Sequence, residues 1–433
     1  TGVLYVLDEP SIGLHPSNIT GLIGVMRDLI ADGNSVVLVD HDTQILKSVD
    51  WLIEMGPTAG ADGGKIISQG TVGELARNPN SQIGPFIAPE AKQLIRKRCS
   101  KENLFDLGTI DLQTKSIHTV KPLRVKIPKG KLTVVTGVSG SGKTTLVLES
   151  LIPALNAAVN REKLPQHIKS ISAPGITNIK LIDATPIGIN IRSTVATYAN
   201  VHDELRKIYA KMPAAKDALL KAGDFSYNTG KLRCPLCDGT GVISLDVQFL
   251  PDVEIPCPAC KGSRYSDEAK KICSESHFKG HSLPELMSMD INHVLEIVSR
   301  EKTISQRLQI LQNLGLGYLT LGEETPSLSG GEAQRLKLAS EMGKPQSQTI
   351  FVFDEPTIGL HPLDVQVLMK VFDQLINNKA TVIVIEHDLD IIRNADYLID
   401  MGPGGGDAGG RIVATGTPDD IRKKPNSVTG RFL

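Results

Sequence analysis

The chain has 433 residues, enough by length for about three domain-sized units with large cores. Its 47 Lys and Arg against 48 Asp and Glu give a formal charge of −1, which excludes a uniformly basic protein and confines any nucleic-acid surface to a local patch. A composition 40% hydrophobic and 22% charged is ordinary for a globular protein. No run approaches the ~18 apolar residues of a membrane span.

The chain opens on Leu4-Tyr-Val-Leu-Asp-Glu-Pro10, a predicted buried strand that ends in two carboxylates, Asp8 and Glu9. That arrangement suits holding Mg²⁺ and activating water beside a triphosphate. The opening stretch is apolar but short and lacks a basic flank, so it is not read as a signal peptide. A helical pattern follows through Leu22, Ile23, Val25, Met26, Leu29 and Ile30, then a strand, Ser35-Val-Val-Leu-Val-Asp-His41. Trp51-Leu-Ile-Glu-Met-Gly-Pro57 leads into a glycine-rich hairpin, Gly60 to Gly70. Residues 78–101, with Pro79, Pro85, Pro89 and the basic Arg96-Lys-Arg98 and Lys101, read as a linker with solvated charges.

A second apolar strand, Lys131 to Thr136, runs into Gly137-Val-Ser-Gly-Ser-Gly-Lys-Thr144. This fits the phosphate-cradling G-x-x-x-x-G-K-[ST] loop, and Thr145 opens a helical pattern after it. Gly137, Gly140 and Gly142 let the backbone wrap oxygen atoms, with Ser139 between them. The loop N–H groups, Thr145 and the helix N-terminus face the phosphates. Lys143 neutralises phosphate charge and the Thr144 hydroxyl ligates Mg²⁺. The expected ligand is therefore a nucleotide, with Mg²⁺ on its phosphates.

Between Lys143 and Ser329 lies a long insertion. Within it Cys234-Pro-Leu-Cys237 and Cys257-Pro-Ala-Cys260 form C-x2-C-x19-C-x2-C, the spacing of a structural Zn²⁺ site closed by four thiolates. Cys273, His277, His281 and Cys99 are read as incidental. From Gly223 to His281 seven basic residues face eight acidic ones, so the module is read as a staple for a loop-rich region rather than a phosphate grip. Helical residues 283–314 precede Leu328-Ser-Gly-Gly-Glu332, where Ser329, Gly330 and Gly331 make a second anion-binding helix start. The chain then repeats a carboxylate strand ending in Asp354 and Glu355, and a strand ending in His387.

That repetition is an internal repeat. At a constant offset of 346 residues Asp8 aligns with Asp354, Glu9 with Glu355, His15 with His361, His41 with His387, Met55 with Met401 and Gly70 with Gly416. Only the second copy has a phosphate loop ahead of it. The chain is therefore expected to begin inside a domain and to be part of a longer tandem protein.

Gly137–Thr144, Leu328–Glu332, Phe353-Asp-Glu-Pro356 and His387, in this order, resemble the ATP-binding-cassette (ABC) ATPase superfamily. The tandem halves, the Gly-Leu-His-Pro after each Asp-Glu-Pro, and the four-cysteine knuckle between phosphate loop and signature resemble its UvrA family. Phe225-Ser-Tyr-Asn, Phe249-Leu-Pro-Asp-Val253 and the Met-Gly-Pro turns are similar too. The resemblance implies an α/β P-loop fold: 1–77 as the C-terminal part of a first cassette, 78–101 as linker, and 102–150 with 326–433 as the second cassette. The insertion, 151–325, then carries the zinc module 223–281. It implies Asp354 and Asp8 as metal-ordering carboxylates, Glu355 and Glu9 as bases or polarisers of water, and His387 and His41 as γ-phosphate sensors. Ser329–Gly331 would close on nucleotide held by the other cassette.

The function implied is a cytoplasmic DNA-binding ATPase of bacterial nucleotide excision repair. It would act on double-stranded DNA as a homodimer, away from membranes, and meet a UvrB-like partner through a region upstream of Thr1. Three departures stand out: Ala184 where the family has glutamine, Ile117-His-Thr-Val-Lys121 in place of Asn-Asn-Leu-Lys, and Asp40 where the second half has Glu386. Together they suggest a divergent UvrA-like paralogue, and Ala184 with the balanced charge keeps an alternative open, an ABC ATPase acting off DNA, on ribosomes or in drug resistance.

Overall fold

The structure, a computed structural model, describes residues 2–57, 63–89, 91, 96–188, 190, 192–245, 253–342 and 344–433. The tip of the expected Gly60–Gly70 hairpin and most of Phe249–Val253 lie outside the described residues. The chain forms two compact units, 1–183 with 345–433 and 184–344. Among the described residues no helix is long and apolar enough to cross a membrane.

The strands are β1 Leu4–Asp8, β2 Ser35–Val39, β3 Leu52–Gly56, β4 Lys65–Gly70, β5 Thr109–Thr114, β6 Arg124–Pro128, β7 Leu132–Gly137 and β8 Ile168–Ser172. They continue with β9 Asn178–Ile182, β10 Val242–Leu245, β11 Val253–Pro256, β12 Thr349–Asp354, β13 Thr381–Ile385, β14 Tyr397–Gly402 and β15 Arg411–Gly416. In the first unit a six-stranded sheet runs β15-β14-β7-β13-β12-β9. All its neighbours are parallel except the β14–β15 hairpin.

Parallel strands covered on both faces read as unbroken apolar runs. Thr381-Val-Ile-Val-Ile385 is buried throughout, and Thr349-Ile-Phe-Val-Phe-Asp354 is buried up to its final carboxylate. Val135, Ile350, Val352, Ile383 and Ile385 pack against Leu146, Val147 and Leu151 of the segment after the phosphate loop. That segment is wound as a π-helix over Thr145–Leu151 before continuing as an α-helix, Ile152–Asn160. A three-stranded antiparallel sheet, β6-β5-β8, contributes Ile110, Leu112, Val125 and Ile127 to the same core.

The internal repeat is visible as structure. Helices Pro16–Ala31 and Pro362–Asn377 each have 16 residues and a histidine N-cap, and both hairpins, β3–β4 and β14–β15, shift register before the methionine. Glu9 and Glu355 share a backbone φ of 44°. The two copies differ in cover: β12 is buried where β1 and β2 expose Leu4, Val6, Val37 and Val39.

One sequence expectation is corrected in the stretch 78–101. Arg96 is not a solvated surface charge; its side chain is buried against Asp373 and Asp396, the latter 2.9 Å from Nη1. Asp396 is itself buried and also accepts from Cys99 N and Leu132 N. Arg98 and Lys101 do stay near the surface, paired with Asp419 and Asp420, where ion pairs contribute little. Removing one member of a buried pair strands the other, at roughly 3–5 kcal/mol. Arg96→Met is expected to lower the stability read by chemical denaturation by about that amount. A loss below about 1 kcal/mol would show that the pair is not holding this segment.

The second unit is helical, with Val201–Tyr209, Leu283–Ser288, Ile291–Ile297, Lys302–Asn313 and Gly330–Glu341 among its helices. The expected helical stretch 283–314 is thus three helices. The β10–β11 hairpin of this unit connects the two cysteine pairs.

Candidate functional site

The phosphate loop leaves the C-terminal end of β7 in the sheet centre, the position where ligands bind open α/β sheets. Its glycines are required by geometry. Gly137 and Gly142 sit at φ 137° and 97°, and a Cβ on Gly137 would lie 2.0 Å from the Met401 carbonyl oxygen. A Cβ on Gly142 would meet Val120 at 2.6 Å. Lys143 is buried and donates to the carbonyls of Gly137 and Val138 at 2.9 and 3.0 Å. Burial lowers its pKa to about 8 against the attraction of Glu355, Asp400 and Glu386. Backbone wrapped this closely, with a desolvated ammonium at its centre, fits a polyphosphate. The Thr144 hydroxyl is on an exposed residue, whereas Thr145 donates to Glu149 at 3.0 Å. Ser139 accepts from Asn18 of the first repeat at 3.3 Å.

Asp354 ends β12, and burial followed by repulsion from Glu355, Asp183 and Glu386 raises its carboxyl pKa to about 6. Glu355 follows with a backbone φ of 44°, a strained conformation for a residue with a side chain. Its Oε1 lies 3.2 Å from His387 Nε2, and this hydrogen bond, helped by the His387 and Lys143 charges, holds its pKa below the usual value despite burial. His387 is anchored by its backbone N–H donating to Glu386 Oε2 at 2.6 Å. Its Nδ1 is buried without a partner among the described residues.

The first repeat reproduces this with Glu9 and His41 at 3.5 Å, both more exposed. Asp40 takes over the part of Glu386. It accepts from Ser11 Oγ and from the N–H groups of His41 and Asp42, as Glu386 accepts from Thr357 and the N–H groups of His387 and Asp388. The shorter carboxylate therefore keeps the same job. The loops after the two glutamates face each other across an open cleft that both Glu–His pairs line.

In the second unit the four sulfurs of Cys234, Cys237, Cys257 and Cys260 lie within 4.8 Å of one another, all buried. Cys234–Cys257 and Cys237–Cys260 are 3.9 and 3.7 Å apart. A tetrahedron of ~2.3 Å Zn–S bonds puts sulfurs ~3.8 Å apart, so the cluster fits Zn²⁺. Gly239 and Gly241, at φ 78° and 83°, turn the knuckle, and a Cβ on Gly239 would collide with the Tyr227 carbonyl at 1.7 Å. Cys99, Cys273, His277 and His281 are not part of the group. Ser329 caps the helix Gly330–Glu341 through a reciprocal bond with Glu332, and Ala184 lies against Gly330, 3.0 Å from where its Cβ would be.

No family model matches the chain. Over 435 residues and its whole length it is 42% identical to UvrABC system protein A of Clostridium perfringens, of which it covers 46%. It is 40% identical over 437 residues to that of Thermus thermophilus, covering 45%. The crystal structure of UvrA2 from Deinococcus radiodurans matches it at 37% identity with a TM-score of 0.89, over 100% of this chain and 51% of that one. The chain is a homologue of UvrABC system protein A. It spans about half the length of the curated relatives it matches.

In this UvrA homologue the ABC-type α/β fold gathers most of the residues singled out from sequence. Gly137–Thr145, Asp354, Glu355 and His387 share one end of the sheet, Asp8, Glu9 and His41 form the matching end of β1 and β2, and the four cysteines cluster. Ser329–Gly331 belong to the other unit. Sequence reasoning missed what packs behind these groups: Asp400, Thr429 and the ring of His15. His15 and His361 were visible as repeat partners in Gly-Leu-His-Pro, but nothing in that pattern says what they touch.

Proposed function

We propose that the chain is a nucleotide-hydrolysing portion of a UvrA-type DNA-binding ATPase. ATP binding and hydrolysis at paired cassettes is coupled to recognition of damaged DNA in nucleotide excision repair. Residues 1–77 close a first cassette, 78–101 connect, 102–150 with 326–433 form the second, and 151–325 is an insertion with the zinc module 223–281. The observation carrying this is the Glu355–His387 pair beside Lys143 in a chain whose structure matches UvrA2 at a TM-score of 0.89.

Lys143 and the loop N–H groups hold the phosphates of ATP. Thr144 and Asp354 would hold Mg²⁺, which supplies further charge neutralisation on the phosphates. Glu355, kept ionised, orients and polarises the attacking water, and His387 senses the γ-phosphate. Asp8, Glu9 and His41 play these parts in the first cassette, and Ser329–Gly331 close on nucleotide held by the opposite cassette.

A duplex is probed by shape and deformability rather than base sequence, in a homodimer that works with a UvrB-like partner. The test is duplex binding, lesion-bearing against undamaged, over a salt series with and without ATP. Nucleotide-dependent preference for the lesion is expected; no salt-sensitive duplex affinity under any condition would sink the reading.

Four thiolates with no open coordination position make the zinc structural. About one Zn²⁺ per chain is expected on metal analysis after washing with a weak chelator, and Cys257→Ser should lose it together with folding of the β10–β11 region. Metal-free protein with an unchanged melting curve would remove this assignment.

A further inference from the structure

The repeat sets His15 and His361 at the same step of each half, as N-caps of the helices Pro16–Ala31 and Pro362–Asn377. Each reaches into the other half. The His15 ring stands edge-on to His387 and to Phe432, both at 6.0 Å, and the His361 ring edge-on to His41 at 6.3 Å and Phe86 at 6.4 Å. The backbones cross as well. A Cβ on Gly13 would lie 3.6 Å from Glu355 Oε2, and one on Gly359 3.6 Å from Glu9 Oε2. Each half thus touches the histidine and glutamate of the other.

The two crossings are built differently. His15 is fully buried; its Nδ1 accepts from Ser17 N at 3.2 Å and its Nε2 lies 3.0 Å from Thr429 Oγ1. The Thr429 hydroxyl donates its only proton to Asp400 Oδ1 at 3.0 Å, so it must accept from His15 Nε2–H. Burial, then the His387 and Lys143 charges, lower the His15 pKa to about 3. The ring is therefore neutral, with its proton on Nε2, as both contacts require. Asp400 stands in register with Thr136 of β7, the residue before Gly137, and its charge is felt at Lys143. A directed chain of hydrogen bonds runs from His15 through Thr429 to Asp400, beside the root of the phosphate loop.

Among the described residues the other crossing lacks this chain. At the offset of the repeat Thr429 corresponds to Ile83, which has no hydroxyl, and Asp400 to Glu54. Glu54 is satisfied within its own half by Ser68, Ser81 and the N–H groups of Gln82 and Ile83.

We propose that His15 is a positioning residue that links the nucleotide state of the Lys143 cassette to the first half-cassette through Thr429 and Asp400, and that coupling through the two crossings is therefore one-sided. It rests on the nucleotide reading above. Phosphate draws Lys143 from the Gly137 and Val138 carbonyls and changes the charge facing Asp400. The buried chain passes that change to the loop Ser11–His15, which borders Glu355. A link of this kind needs two arrangements that nucleotide favours unequally, and the Lys143 ammonium, held by carbonyls or by phosphate, supplies them.

The experiment is hydrogen exchange of the segment 11–19 in the whole chain, with and without the Mg²⁺ complex of a non-hydrolysable ATP analogue, alongside the affinity for that analogue. In the wild type nucleotide is expected to change exchange there by about fivefold or more. Thr429→Val should bind the analogue within about twofold of wild type and lose the change, while Thr429→Ser keeps it. His15→Asn, which preserves an N-cap but is too short to reach Thr429, should behave as Thr429→Val and serves if that variant does not fold. Binding without any change at 11–19, or a change that survives in the folded uncoupled variants, overturns the link alone. No binding by the wild type overturns the nucleotide reading and the link with it.

Discussion

Lys143→Ala is expected to weaken nucleotide binding at this cassette by at least about a hundredfold while the chain stays folded. Cutting away one partner of a desolvated, hydrogen-bonded charge pair costs about 2–5 kcal/mol, and about 2.8 kcal/mol is already a hundredfold. Folding should not suffer, because without phosphate this ammonium is a burden on the native state. Its folded pKa, about 8, lies below its ordinary value of 10.5. A cation shifted in that direction destabilises the native state while it is protonated in both states, and the penalty fades as pH rises from about 8 towards the unfolded value. Below pH 8, alanine removes that penalty. Asp400, one of the carboxylates attracted to Lys143, keeps its hydrogen bonds to Ser427 and Thr429. The check is titration with a fluorescent ATP analogue beside a melting curve. Unchanged affinity would take Lys143 out of the site, and coincident loss of folding would mean that the carboxylates depend on it.

Why the phosphate loop, the Asp-Glu strands, the histidines and the cysteines were legible is a matter of distance along the chain. In each, the chemistry is written within a few residues, and the strand–loop–helix setting is local too. Gly137 and Gly142 are glycines because any Cβ would collide with residues far away, but the glycine itself marks the spot. The repeat added a second kind of evidence. It predicted that Glu9 and Glu355 would be equivalents, and both take the same left-handed backbone.

Long-range pairing was illegible for the converse reason. Arg96 looks like a surface charge because its partners, Asp373 and Asp396, lie at the other end of the sequence. His15 meets Thr429 across 414 residues. Local composition cannot distinguish a charge that finds a buried carboxylate from one that finds water. Asp40 misled differently: compared letter by letter with Glu386 it reads as a divergence, yet Ser11 in place of Thr357 accompanies it and the hydrogen-bond pattern survives.

Glu355→Gln is expected to bind nucleotide at least as well as the wild type and to hydrolyse it about 10²–10⁴ times more slowly, the range typical of a lost general base. The amide has nearly the shape of the carboxylate and can still meet His387 Nε2, so the dyad geometry at 3.2 Å should persist. Backbone strain at φ 44° is unchanged by the substitution, so the backbone adds no cost of its own. Removing a negative charge next to the phosphate loop also favours a polyanion. Because the His387 hydrogen bond and nearby charges lower its pKa, Glu355 remains ionised throughout the neutral range. The rate loss should therefore be the same at pH 6 and pH 8, unlike that of a base titrating near neutrality. Single-turnover hydrolysis measured with equilibrium binding separates the two steps. A matching loss of affinity would make Glu355 a phosphate or metal ligand, and an unchanged rate would move the water-activating role elsewhere.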